Sequence, residues 1–326
     1  MLCYIGLMRF LFIPALLFTI SSFAADGSFN GRWNIKASKE PRNRAWWLEV
    51  TGAGTPNLKG RFVGAPGGDM NDIPEISIAN GELKFAFERA YARGVKSKGI
   101  WRAHVDGDKI SGTFDVDGAP NLHLDWAGKR APVLAENHKG KHNLGKPVAL
   151  FNGKDLTGWK PLVAGQPLGW EVKDGAMANV KGANNLVSDQ TFWNFTLHAE
   201  FKVGKDSNSG IGLRGRYEVQ ILEDFGKEPD SHSNGALYSR IKPAMNASKP
   251  AGEWQTYDIT LIGREVTIVL NGKTTVDRKE IEGLTAMASD PDESAPGPIV
   301  IQGDHGPVEF RKLVVTPLIS PGSRPK

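Results

Sequence analysis

The chain has 326 residues, with 40 Lys and Arg against 36 Asp and Glu and a hydrophobic fraction of 40%. That balance supplies a core and excludes intrinsic disorder, while a net charge of +4 without any block of basic residues excludes a nucleic-acid footprint. The single cysteine, Cys3, excludes a disulfide framework or thiolate zinc site within one mature chain, and the length suits two domains.

Residues 1–25 read as a secretory signal. Arg9 gives the positive start, Phe10 to Ile20 the apolar region, and the small residues around Ala24 and Ala25 the cleavage point. The apolar run is shorter than the ~20 residues of a spanning helix and contains Pro14. The expectation is an exported protein, periplasmic or secreted, with no membrane association after cleavage.

Residues 26–131 carry short alternating segments separated by turn residues, with Asn80-Gly81 and Asp106-Gly107 where hairpins need them. A GxW at Gly31 to Trp33 heading these strands resembles a small lipocalin-like antiparallel β-barrel. Trp33, Trp46, Trp47 and Trp101 then either line a ligand cavity or serve as its bulky filling, and the need of a small barrel for large interior side chains favours filling. Residues 132–146 are poor in apolar side chains and read as a linker. His138 and His142 within it are solvated rather than a metal pair, because glycines break the helix their spacing requires.

Residues 147–318 give the clearest strands, and 319–326 a tail. In FTLHAEFKV, Phe195, Leu197, Ala199, Phe201 and Val203 face one way. WQTYDITLIGREVTIVLNGKTTVD reads as three strands turning near Gly263 and at Asn271-Gly272, and IVIQGDHGPVEFRKLVVTPL as two more. TAMASDPDE alone looks helical or irregular. The fold class is all-β, two packed antiparallel sheets behind a smaller β domain.

Chemistry concentrates in SNSGIGLRGRYEVQILEDFG. Tyr217, Val219 and Ile221 alternate as a core face, so Glu218 and Gln220 project oppositely, and Asp224 continues that parity. Arg214 precedes them. A carboxylate, an amide and a guanidinium on one sheet face can bind a polyol and move its protons. A second cluster, IQGDHGPVEFR, places Gln302 and His305 on a glycine-flanked loop and Glu309 on the following strand. Tyr238, in the polar loop Phe225 to Gly252, is the aromatic best placed to meet a sugar face. No P-loop, serine elbow, zincin helix or dinucleotide fingerprint is present.

The segments ALFNGKDLTGW, GWEVKDGAM, SNSGIGLRGRYEVQILED, GALYSRIKPAMNASKPAGEWQTYDI, VLNGK and GPIVIQGDHGPVEFRKLVV occur in the order typical of the DUF1080, or 3-keto-disaccharide hydrolase, family. The resemblance covers residues 147–318. Relative to the family's usual pattern, one extra residue precedes His305. The resemblance implies a concanavalin A-like jelly roll acting on an oligosaccharide or glycoside already oxidised at C3, the ketone coming from a separate sugar 3-oxidoreductase.

On that basis Glu218 is the expected base for the C2 proton and His305 the acid for the leaving group. Asp224 is held in reserve as base. Arg214 and Gln220 hold the keto oxygen and hydroxyls, and Tyr238, Gln302 and Glu309 complete the binding set. A divalent metal bound by Glu218, Asp224, Glu309 and His305 is the alternative to Arg214 as Lewis acid, although no ligand spacing demands one. The rival from another class is a non-catalytic glycan-binding protein of the same sandwich fold.

Overall fold

The computed structural model describes residues 27–92, 95–180 and 182–320. The expected signal, 1–25, and most of the expected tail, 321–326, lie outside the described residues. Within them every regular element is a strand, apart from one turn of 3-10 helix at Gly27–Phe29. The segment around Ser289 is irregular rather than helical.

Between Gly31 and Arg130 nine antiparallel strands form one sheet. Its two edge strands, Asn71–Asp72 and Glu75–Ala79, are consecutive in the chain, so the sheet curls until its ends adjoin. The interior is aromatic, with the Trp101 ring 5.1 Å from Phe62, 5.2 Å from Phe85 and 4.4 Å from Phe114. Asn80 and Gly81 both have positive φ, 53° and 74°, as the tight hairpin between Glu75–Ala79 and Glu82–Ala92 requires.

Trp33, Trp46 and Trp101 fill this interior, but Trp47 does not. Alternation along Ala45–Thr51 sends Trp46, Leu48 and Val50 inward and turns Ala45 and Trp47 outward, into the core of the second unit. There the Arg240 guanidinium lies 4.1 Å from the Trp47 ring. Polar ties complete the junction: Asn34 Nδ2 donates to Glu293 Oε2 (2.7 Å), Arg61 pairs with Glu282 (3.0 Å), and Met70 N donates to Ser239 Oγ (3.0 Å).

The second unit is the expected sandwich. Its larger sheet centres on Phe195–Val203 and Val308–Ile319, and its smaller sheet runs Trp159–Pro161, Leu186–Phe192, Gly297–Ile301, Asn208–Leu213, Tyr217–Leu222. Phe195, Leu197, Ala199, Phe201 and Val203 are all fully buried between the sheets. The segment 132–146 is docked rather than free. His138 bonds Glu265 through both N and Nδ1, Trp193 Nε1 donates to Glu136 (3.1 Å), and Asn143–Leu144 pairs with Leu318–Ile319. Ile319 thus belongs to the final strand, not to a tail.

Candidate functional site

The smaller sheet has one face in the core and the other turned toward the N-terminal unit. Register pairs Gly212 with Glu218 and Gly210 with Gln220, so these four share the outward face, while Ile211, Tyr217, Val219 and Ile221 face the core. The glycines leave room for the acid: a Cβ at Gly210 would come within 2.7 Å of Glu218 Oε1 and 2.9 Å of Met287 Cε. Glu218 and Gln220 line a cleft of about 410 Å³ with Asn184, Asn208, Tyr238, Met287, Gln302, Asp304 and His305. That volume suits a sugar-sized ligand.

Glu218 is only 3% exposed. Its backbone N–H donates to Thr285 Oγ1 (2.9 Å), and its carbonyl accepts from the Tyr238 N–H (3.0 Å), which fixes the long loop over the strand. Burial pushes the carboxyl up to about 7, against the pull of His305 and Arg44 and with Asp304 adding to the rise. The group therefore exchanges a proton near neutrality.

Across the cleft, His305 Nδ1 lies 2.8 Å from Asp304 Oδ1. Burial opposes ionisation of Asp304, but the hydrogen bond to His305 and the charges of Arg44 and Arg42 outweigh it and hold the carboxyl below its usual range. An ionised Asp304 orients the ring with Nδ1 toward itself and leaves Nε2 for other work. The loop is anchored by Asn179, whose Nδ2 donates to Gly303 O (2.8 Å) and whose Oδ1 accepts from Val308 N (2.7 Å). A Cβ at Gly306 would sit 2.6 Å from that of Ser207, so the glycine is what lets the loop lie this close. A second hollow of about 430 Å³, lined by Lys205, Asp206 and Pro307, shares Asn208, Asp304 and His305 with the first.

The structure brings Glu218, Gln220, Tyr238, Gln302 and His305 together at one cleft, and it separates the other three expected residues. Arg214 has positive φ (55°) and leaves the strand's alternation. It is buried beneath the sandwich, donating from Nη2 to Gly263 O and stacking 4.4 Å from the Trp193 ring. Asp224 lies past the end of the Tyr217–Leu222 strand and is also buried, accepting from Asn234 N (2.9 Å) and Ser248 Oγ (2.6 Å) to brace the long loop. Glu309 sits on the larger sheet and pairs with Lys202 (2.8 Å). The four expected metal ligands thus do not converge, and among the described residues no three His, Cys, Asp or Glu side chains form a metal cluster.

Sequence reasoning missed Asp304 as a partner, Asn184 and Asn208 as lining, and above all Arg42 and Arg44, which reach the cleft from the N-terminal unit with Gly67 and Gly68. The Asp304-His305 adjacency was a visible signal for the first. Nothing local marks the arginines, because their place is set by how the two units dock.

Residues 146–316 match the family described as 3-keto-alpha-glucoside-1,2-lyase-like domain. A 3-keto-disaccharide hydrolase from Bacteroides thetaiotaomicron is 25% identical over 144 residues, covering 33% of this chain and 49% of that protein. The chain thus spans about half the length of the curated relative it matches. Two Parabacteroides distasonis crystal structures, of proteins assigned as candidate glycosyl hydrolases, align at TM-score 0.45. One is 28% identical over 57% of this chain and 91% of its own, the other 23% identical over 52% and 92%.

Proposed function

Because the chain belongs to the 3-keto-alpha-glucoside-1,2-lyase-like family, we propose that it cleaves 3-keto-glycosides by removing the C2 proton and expelling the C1 substituent. The observation that carries this reading is the buried Glu218, its carboxyl pushed up to about 7, lining one cleft with the Asp304–His305 pair. A ketone at C3 acidifies the C2–H bond, so a carboxylate poised near neutrality is a competent base. The C2–H electrons pass to the C3 oxygen as an enolate, which collapses to form the C1=C2 bond as C1–O breaks, and His305 gives a proton to the departing oxygen. Water can then add back, hydroxyl to C1 and a proton to C2, giving net hydrolysis.

Gln220, Gln302 and Tyr238 supply amide and phenol groups for the remaining hydroxyls and the ring face. His305 borders both hollows. That supports the glycone lying against Glu218 and the aglycone beyond the Asp304–His305 loop. The ketone would come from a separate sugar 3-oxidoreductase, and export rests on the signal read in residues 1–25. The test is incubation with a 3-keto-glucoside and with its unoxidised parent. Turnover of the ketone alone supports the reading. Binding of both without turnover contradicts it and points to a glycan-binding protein.

A further inference from the structure

We propose that the N-terminal domain completes this site, with Arg44 as the cation that holds the C3 oxygen of the sugar as negative charge gathers there. The inference rests on the 3-keto reading above and names the residue that stabilises its enolate.

The well-buried arginines of the sandwich each have a partner within the protein. Arg214 donates to Gly263 O, Arg216 pairs with Asp290, Arg240 donates to Leu284 O, and Arg264 pairs with Glu293 (2.7 Å). Arg44 differs. Its guanidinium lines the cleft, in the fields of Glu218 and Asp304, yet among the described residues no hydrogen bond or ion pair engages it. Burial disfavours its charge, so a half-buried guanidinium without an acceptor is better satisfied by an oxygen of the ligand.

The backbone that carries it is anchored. The Glu40 carboxylate accepts the backbone N–H groups of Arg42 (2.9 Å) and Arg44 (2.6 Å), tightening the turn. Lys36 Nζ bonds both Asn43 Oδ1 (2.7 Å) and Ser289 O (2.8 Å), joining that turn to the other domain. Ala45 N donates to Ala288 O (2.6 Å), which clamps Arg44's neighbour to the segment whose Met287 lines the cleft beside Glu218. Fixed donors aimed where charge develops are the most effective form of electrostatic catalysis, because nothing need reorganise during reaction.

The experiment compares wild type, Arg44→Gln, Arg44→Lys and Lys39→Gln on a 3-keto-glycoside across pH, with thermal unfolding of each. Arg44→Gln is expected to lower kcat by roughly 10²–10³ with KM moved by only a few-fold. The limb of the profile set by Glu218 should move to higher pH, since the removed charge helps ionise that carboxyl. Arg44→Lys should recover part of the rate, and Lys39→Gln, which removes an exposed charge outside the cleft, none of the loss. Full kcat with an unmoved limb in Arg44→Gln overturns the inference, as does a loss confined to KM, which would make Arg44 a binder of the substrate's ground state. Failure of wild type itself to turn over any 3-keto-glycoside overturns the underlying reading instead, so the two failures are told apart.

Discussion

Replacing Glu218 with Gln probes the buried carboxyl through both stability and rate. The side chain is 3% exposed, and burial raises its pKa from 4.5 to about 7. A folded-state pKa above the unfolded one means that the folded chain holds the proton more tightly. The stability this confers is fully present below pH 4.5 and is lost as pH rises through about 7. The gap corresponds to roughly 3 kcal/mol, at about 1.4 kcal/mol per tenfold change in proton affinity. Glu218→Gln has no proton to lose, and all other titrating groups are common to both chains. The variant should therefore gain about 3 kcal/mol on wild type between acid and mildly alkaline pH. Denaturant unfolding of both proteins at about pH 4.5 and about pH 8.5 measures the difference directly. In parallel, loss of the base should cost roughly 10²–10⁴ in kcat with binding largely kept. Parallel stability curves across that range would refute the perturbed acid, and near-full turnover would refute the base.

His305→Gln should slow cleavage of alkyl aglycones by roughly 10²–10⁴ but spare nitrophenyl aglycones, which leave without a proton; equal loss on both removes it as the acid. Gly210→Ala drives a methyl group to 2.7 Å from Glu218 Oε1 and 2.9 Å from Met287. Overpacking there should destabilise by about 1–3 kcal/mol and lower kcat, read by unfolding and steady-state kinetics. Arg214→Ala loses the Gly263 bond and its stacking on Trp193, so it should lower stability by about 1–3 kcal/mol while leaving kcat within a few-fold.

What the sequence made legible followed from strict local periodicity. The two-residue alternation of Phe195–Val203 and Tyr217–Leu222 placed core residues on one face and Glu218 with Gln220 on the other. Asn80-Gly81 and Asn271-Gly272 announced hairpins because few other residues tolerate the left-handed backbone there. Alternation failed where the backbone leaves the strand: Arg214 adopts positive φ, and Asp224 lies beyond the strand end. Glu309 shared the IQGDHGPVEFR segment with His305, but the intervening turn carries it to the other sheet. Arg44 and the outward face of Trp47 depend on docking between units, which no local pattern encodes.

The central claim is that the C1–O bond breaks by elimination after loss of the C2 proton. It is tested most directly by running the wild-type reaction on a 3-keto-glycoside in D₂O and reading C2 of the released sugar by NMR. The account predicts loss of the original hydrogen from C2 at the rate of cleavage, leaving an enone with no hydrogen there before hydration and deuterium there once water has added, both lost together with activity in Glu218→Gln. Cleavage that leaves the original hydrogen at C2 would contradict it, since direct displacement at C1 never opens that bond.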